Sequence, residues 1–206
     1  MSKLNLPNKL TVIRLLMVPV VLVFLVCDFG IYPWNRIIAA LVFLAASLTD
    51  MADGKIARKR NLITDFGKFL DPLADKFLVI AGLIALCFKD SLAHKTDDVA
   101  ATVYCYALFV MTVVVIFREL AVTSLRLVVA SSQEKVVIAA NIYGKIKTGS
   151  QVTFVILAIA AYPFVYLCPA AFYSVLYFVM LFSTVMTVLS GITYFKGYWK
   201  YINPEK

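Results

Sequence analysis

The sequence predicts an all-α, polytopic membrane protein of about six transmembrane helices with both termini cytoplasmic. Two observations carry that prediction. Of 206 residues, 62% are hydrophobic and only 16% charged, with a mean hydropathy of +0.88. Soluble domains stand at about 45–50% apolar and about 25% charged. The second observation is arrangement: the apolar residues fall into six long runs separated by short polar or proline-bearing breaks. About 20 residues at about 1.5 Å each cross a hydrocarbon core. The length therefore accommodates six crossings and short loops as one membrane domain over 1–206, with no soluble appendage.

The first helix is expected over 8–28. Its basic start followed by Leu15 to Cys27 has the look of a signal peptide. No small-x-small cleavage site follows, and Val26 stands where a lipoprotein site wants a small residue, so the run reads as the first span. Gly30 and Pro33 break the chain before a second helix over 35–60, and a short hairpin at 60–67 leads into a third over 67–89. That hairpin makes the second and third helices antiparallel neighbours. After the polar stretch Lys89 to Asp98, a fourth helix is expected over 99–130. A fifth over 146–167 and a sixth over 170–195 meet at Pro169. Pro19 and Pro163 fall inside apolar runs and are expected to kink their helices, as bilayers tolerate.

Lysine and arginine set the orientation. With a cytoplasmic N-terminus, seventeen lie on the inner side and three (Arg36, Lys89 and Lys95) on the outer, the asymmetry of the positive-inside rule. The four cysteines lack metal-ligand spacing and read as buried, reduced thiols. His94, alone in an outer loop, is assigned no role.

Four aspartates interrupt this apolar background within 26 residues: Asp50, Asp53, Asp71 and Asp75. A carboxylate at a helix centre in a bilayer costs about 2.5–3.5 kcal/mol on insertion scales, so it usually has a partner. The spacings of three and four place each pair on one helix face. Four carboxylates facing one another suit two hard divalent ions, which prefer oxygen ligands. Two ions about 3.5–4 Å apart clamp both the attacking and leaving oxygens of a phosphoryl displacement. Gly54, Ala57 and Gly67 lack bulk, which lets a nucleotide approach the backbone, and Arg58 offers phosphate a guanidinium fork. Taken singly, these residues have plainer readings. Asp71 before Pro72 also fits a helix N-cap, Asp50 and Asp53 fit pairing with Lys55 or Arg58, and the glycines fit helix packing.

Jointly they form a pattern. The stretch from Asp50 to Asp75 reads D-x2-D-G-x2-A-R-x8-G-x3-D-x3-D, which resembles the signature of the CDP-alcohol phosphatidyltransferases at all eight specified positions. The segment Pro7-Asn8-x-Leu10-Thr11-x-x-Arg14 is similar to the entry segment of that family. The resemblance implies that Asp50, Asp53, Asp71 and Asp75 hold two Mg2+ or Mn2+ ions and that Asp75 is also the general base. It implies that Asn8, Thr11, Asp53, Gly54, Ala57, Arg58 and Gly67 surround the cytidine diphosphate of CDP-diacylglycerol. Asn8 and Thr11 fit ordinary helix-start positions equally well.

The signature fixes the donor, and cations elsewhere point to the acceptor. Arg118 and Glu119 interrupt the apolar fourth helix, Arg126 follows two turns later, and Lys135, Lys145 and Lys147 come next. Basic groups converging from two helices suit a phosphate-bearing acceptor. Phe117-Arg118-Glu119 with Leu125-Arg126, and Gly144-Lys145-x-Lys147-Thr148-x-x-Gln151, resemble segments of the phosphatidylglycerophosphate-forming branch of the family. That resemblance implies transfer of phosphatidyl from CDP-diacylglycerol to sn-glycerol 3-phosphate, releasing CMP, by a multi-pass homodimer of the cytoplasmic membrane. Arg118, Arg126, Lys135, Lys145 and Lys147 are then the acceptor-binding candidates. Other acceptors within the family are a second phosphatidylglycerol (a cardiolipin synthase), inositol phosphate and serine. A cation transporter is the reading from another class; the clustering of the acids near one face, with no polar path across the membrane, speaks against it.

Overall fold

The computed structural model describes residues 6–60, 65–93, 99–131, 142–161 and 168–202. Six helices account for nearly all of them: α1 (Leu6–Val26), α2 (Trp34–Arg60), α3 (Asp65–Ala93), α4 (Val99–Ser131), α5 (Ile142–Ala161) and α6 (Pro169–Ile202). The side chains of 50–60 and 65–69, and those of Asp71 and Asp75, lie outside the description. The all-α class and the six helices are as expected. Their bounds shift: α5 begins at Ile142 and α6 runs on to Ile202. Helix α1 continues through Pro19, and Pro163 lies outside the described residues.

Among the described residues three helices are long and apolar enough to cross a membrane: Asn8–Val26, Val99–Val129 and Ala171–Trp199. Trp34–Thr49 is apolar but shorter.

Cross-helix contacts fix the directions. The start of α2 meets the end of α3 where Arg36 pairs with Asp90 at 3.0 Å. Lys89 Nζ donates to the Val26 carbonyl at the end of α1 (3.3 Å). Helices α3 and α4 run antiparallel, joined by Lys76 with Thr123 and by Cys87 with Thr112. Gln151 Nε2 donates to Thr187 Oγ1 (2.9 Å) and Ser150 meets Ser183, which sets α5 against α6. The near end of α6 reaches the start of α4 through Tyr177 Oη and the Ala100 carbonyl (3.1 Å). The chain thus alternates direction at every connection.

Each helix buries one face. In α1 the buried residues are Asn8, Thr11, Arg14, Val18, Val21 and Leu25, a stripe of three- and four-residue steps. Helix α1 packs on α2 and α3, while α6 packs on α4 and α5; α3 with α4 and α2 with α5 join the two trios. Among the described residues, α2 and α3 are antiparallel but each packs chiefly on α1 rather than on the other. Phe43, Leu83, Leu108 and Phe154 fill the centre with no exposure. Gly82 allows the close approach there, since a Cβ on it would lie 3.0 Å from the Phe43 ring and 3.1 Å from Val155.

Two local expectations are corrected. Asp71 and Pro72 are not a helix start, because α3 begins at Asp65. All four cysteines are free, but none is fully buried: Cys87 and Cys105 are half-buried, and Cys27 and Cys168, each just beyond a helix end, are exposed.

Candidate active site

Helix α2 carries Asp50 and Asp53, and α3 carries Asp71 and Asp75. Their side chains lie outside the described residues, as do those of Gly54, Ala57, Arg58 and Gly67. The chemistry of the donor set suits divalent ions: four carboxylates supply hard oxygen ligands, in pairs three and four residues apart on two helices.

Beside these segments lies a cavity of about 550 Å³. Leu48, two residues before Asp50, and Lys76, directly after Asp75, both line it. Six cations face it from four helices: Arg14 of α1, Lys76 of α3, Arg118 and Arg126 of α4, and Lys145 and Lys147 of α5. Among the described lining residues the single carboxylate is Glu119. A cavity so lined attracts anions and concentrates them.

Glu119 organises the cation set. Its Oε1 accepts from Lys147 Nζ and, at 3.0 Å, from Arg118 Nη1. Lys76 Nζ lies 3.9 Å from Oε2 and donates to Thr123 Oγ1. Arg118 Nη2 donates to Ser190 Oγ of α6 at 2.6 Å. One turn further along α6, Tyr194 Oη accepts from Arg126 Nη2 at 2.8 Å. Among the described residues no carboxylate pairs with Arg126 or with Lys145, and both are exposed.

Sequence reasoning and geometry agree that Arg118, Arg126, Lys145 and Lys147 belong together; the fold brings all four to one cavity. Lys135 lies outside the described residues. Asn8 and Thr11 lie in the first two turns of α1 and are buried. Three cavity groups went unassigned, Arg14, Lys76 and Tyr194, as did Ser190, which holds Arg118. Arg14 sits on the same buried stripe as Asn8 and Thr11, a spacing visible in the sequence. Ser183, Thr187, Ser190 and Tyr194 likewise make a buried polar stripe along the apolar α6, at helical steps that mark a facing polar site.

A second cavity, of about 570 Å³, lies between α4 and α6 on the other side of Arg118. Its walls, including Phe117, Val188, Ile192 and Trp199, are apolar. It offers nothing for phosphate beyond Arg118 and Lys196.

Residues 4–191 match the family model for CDP-alcohol phosphatidyltransferase. The chain belongs to that family. It is therefore a transferase. It is 40% identical to the CDP-diacylglycerol–glycerol-3-phosphate 3-phosphatidyltransferase of Bacillus subtilis (strain 168), over 95% of this chain and 96% of that one. A probable phosphatidylglycerophosphate synthase of Mycobacterium tuberculosis (strain ATCC 25618 / H37Rv) is 35% identical over 92% of this chain and 79% of its own. A cardiolipin synthase (CMP-forming) of Oryza sativa subsp. japonica is 38% identical over 77% of this chain and 46% of its own.

Proposed function

We propose that this protein transfers the phosphatidyl group of CDP-diacylglycerol to sn-glycerol 3-phosphate, giving phosphatidylglycerophosphate and CMP. The observation that carries the reading is the basic cavity abutting the acidic segments: six cations face a space bordered by the chain neighbours of Asp50 and Asp75. Acidic and basic zones side by side answer the two halves of the reaction. The first suits cations at a pyrophosphate, and the second suits a phosphate on the incoming alcohol. The names of the Bacillus and Mycobacterium relatives support the same acceptor.

In this reading Asn8, Thr11, Gly54, Ala57, Arg58 and Gly67 surround the cytidine diphosphate, and Asp50, Asp53, Asp71 and Asp75 hold two divalent ions. Bound Mg2+ or Mn2+ would neutralise charge on the pyrophosphate. Arg118, Arg126 and Lys145 receive the glycerol 3-phosphate phosphate, with Lys147 behind them against Glu119. Asp75 takes the proton from the primary hydroxyl as that oxygen bonds to the β-phosphorus. The bond from that phosphorus to the CMP oxygen breaks, and CMP leaves with the electron pair. Arg58 offsets charge on the departing nucleotide. Six crossings, a homodimeric assembly and a site facing the cytoplasm complete the proposal.

The deciding experiment measures CMP release by purified protein with CDP-diacylglycerol and each acceptor in turn. Glycerol 3-phosphate should be used far faster than phosphatidylglycerol, inositol phosphate or serine. Preference for phosphatidylglycerol would move the protein to cardiolipin formation. Cation flux in liposomes with no CMP release would discard transferase chemistry here, although a cavity lined by six cations opposes cation passage.

A further inference from the structure

We infer that Tyr194 is a positioning residue for the acceptor's phosphate, holding the guanidinium groups of Arg118 and Arg126 in place at the cavity wall. The inference rests on the glycerol 3-phosphate reading and gives α6 a part in it that no motif of this chain assigns. The guanidinium carbons of Arg118 and Arg126 lie over the Tyr194 ring, 5.4 and 5.0 Å from its centroid. On α4 these arginines start eight residues apart, about 12 Å along the axis. One ring therefore gathers two like charges that their own helix would let drift apart.

The ring itself is fixed. Tyr194 is 6% exposed and stacks on Tyr198, with centroids 6.2 Å apart and planes within 12°. Gly144 faces its edge: a Cβ there would stand 3.8 Å from both a ring carbon and the hydroxyl oxygen. The hydroxyl consumes one Arg126 donor, at 2.8 Å, and leaves the other guanidinium hydrogens for a ligand. Ser190, one turn earlier on α6, holds Arg118 in the same manner. Arg126 and Lys145 have no carboxylate partner among the described residues. A bound phosphate dianion would supply an anionic partner to both.

The test compares wild-type protein with Tyr194→Phe and Tyr194→Leu, full-length and in lipid vesicles. KM is measured separately for glycerol 3-phosphate and for CDP-diacylglycerol, together with kcat. Tyr194→Phe keeps the ring and loses the hydroxyl, so acceptor KM should rise about threefold to tenfold. Tyr194→Leu also loses the cation–π contacts and should raise it at least about tenfold further. Donor KM should stay at the wild-type value in both. Unchanged acceptor KM in both variants, or an equal rise in both KM values, overturns the proposal. Should Tyr194→Leu fail to fold, Tyr194→Phe decides alone. If wild-type protein uses CDP-diacylglycerol but ignores glycerol 3-phosphate, the acceptor reading is lost and this inference with it.

Discussion

Glu119 of α4 and Lys147 of α5 form an ion pair across the helix interface, each side chain 7% exposed. Lys147 is thus already answered by a carboxylate, whereas Lys145, two residues before it on the chain, is exposed. The two lysines divide the work. Lys147 ties α5 to α4, and in the proposed reading Lys145 meets the ligand. Removing one partner of a buried pair strands the other charge, at about 3–5 kcal/mol.

Glu119→Gln should therefore lower stability by about that amount, read as a drop in Tm in detergent. Lys147→Met should do the same. The double variant should be more stable than Glu119→Gln alone, because Lys147 is then no longer left stranded, while Arg118 still lacks its carboxylate. Additive losses in the double variant would show that the pair contributes nothing as a pair.

Arg118→Ala should raise the glycerol 3-phosphate KM by about 10- to 100-fold while donor KM stays unchanged. Steady-state CMP release with each substrate varied separately gives both constants. Equal effects on the two would return Arg118 to a structural role.

Asp75→Asn should lower kcat by about 100-fold or more, the range for loss of a general base, while CDP-diacylglycerol still binds. Chelation with EDTA should silence the wild-type enzyme, and added Mg2+ or Mn2+ should restore it. Full activity in Asp75→Asn would remove that residue as base.

At the opposite end of the bundle, Arg36 and Asp90 pair at 3.0 Å with side chains 2% and 1% exposed. Arg36→Met and Asp90→Leu should each destabilise by about 3–5 kcal/mol, and the double variant should recover most of the loss. Thermal melts of all three variants check this. The pair lies away from the cavity, so acceptor KM of the folded fraction should stay at the wild-type value.

Gly82→Leu should lower Tm as well. The Cβ alone would meet Phe43 at 3.0 Å and Val155 at 3.1 Å, and both neighbours are fully buried. Overpacking of this kind costs about 1–3 kcal/mol. A wild-type melting temperature in Gly82→Leu would mean that α2, α3 and α5 separate more readily than their packing indicates.

The apolar runs determined the helices, because length and hydropathy act locally and survive any rearrangement of neighbours. The aspartate spacing and the family resemblance were equally legible, since helical period is a property of the chain itself. Charge counting was less secure. Arg36, read as an outer cation, is buried against Asp90, a residue 54 positions away that no local pattern connects to it. The cavity had the same difficulty. Arg118, Arg126, Lys145 and Lys147 were recognisable as cations, but their division into paired and unpaired groups depends on where Glu119 lies relative to α5.

Sequence alone therefore fixed the class, the helices and the chemistry of the residue types. Tertiary packing decided which charge meets which. It brought Ser190 and Tyr194 of α6 to the arginines of α4, and set α1 between α2 and α3. The physical reason is distance along the chain: hydrogen bonds and ion pairs act over a few ångströms. Partners 28 to 72 residues apart, such as Lys147 with Glu119 and Arg118 with Ser190, meet only once the helices have packed.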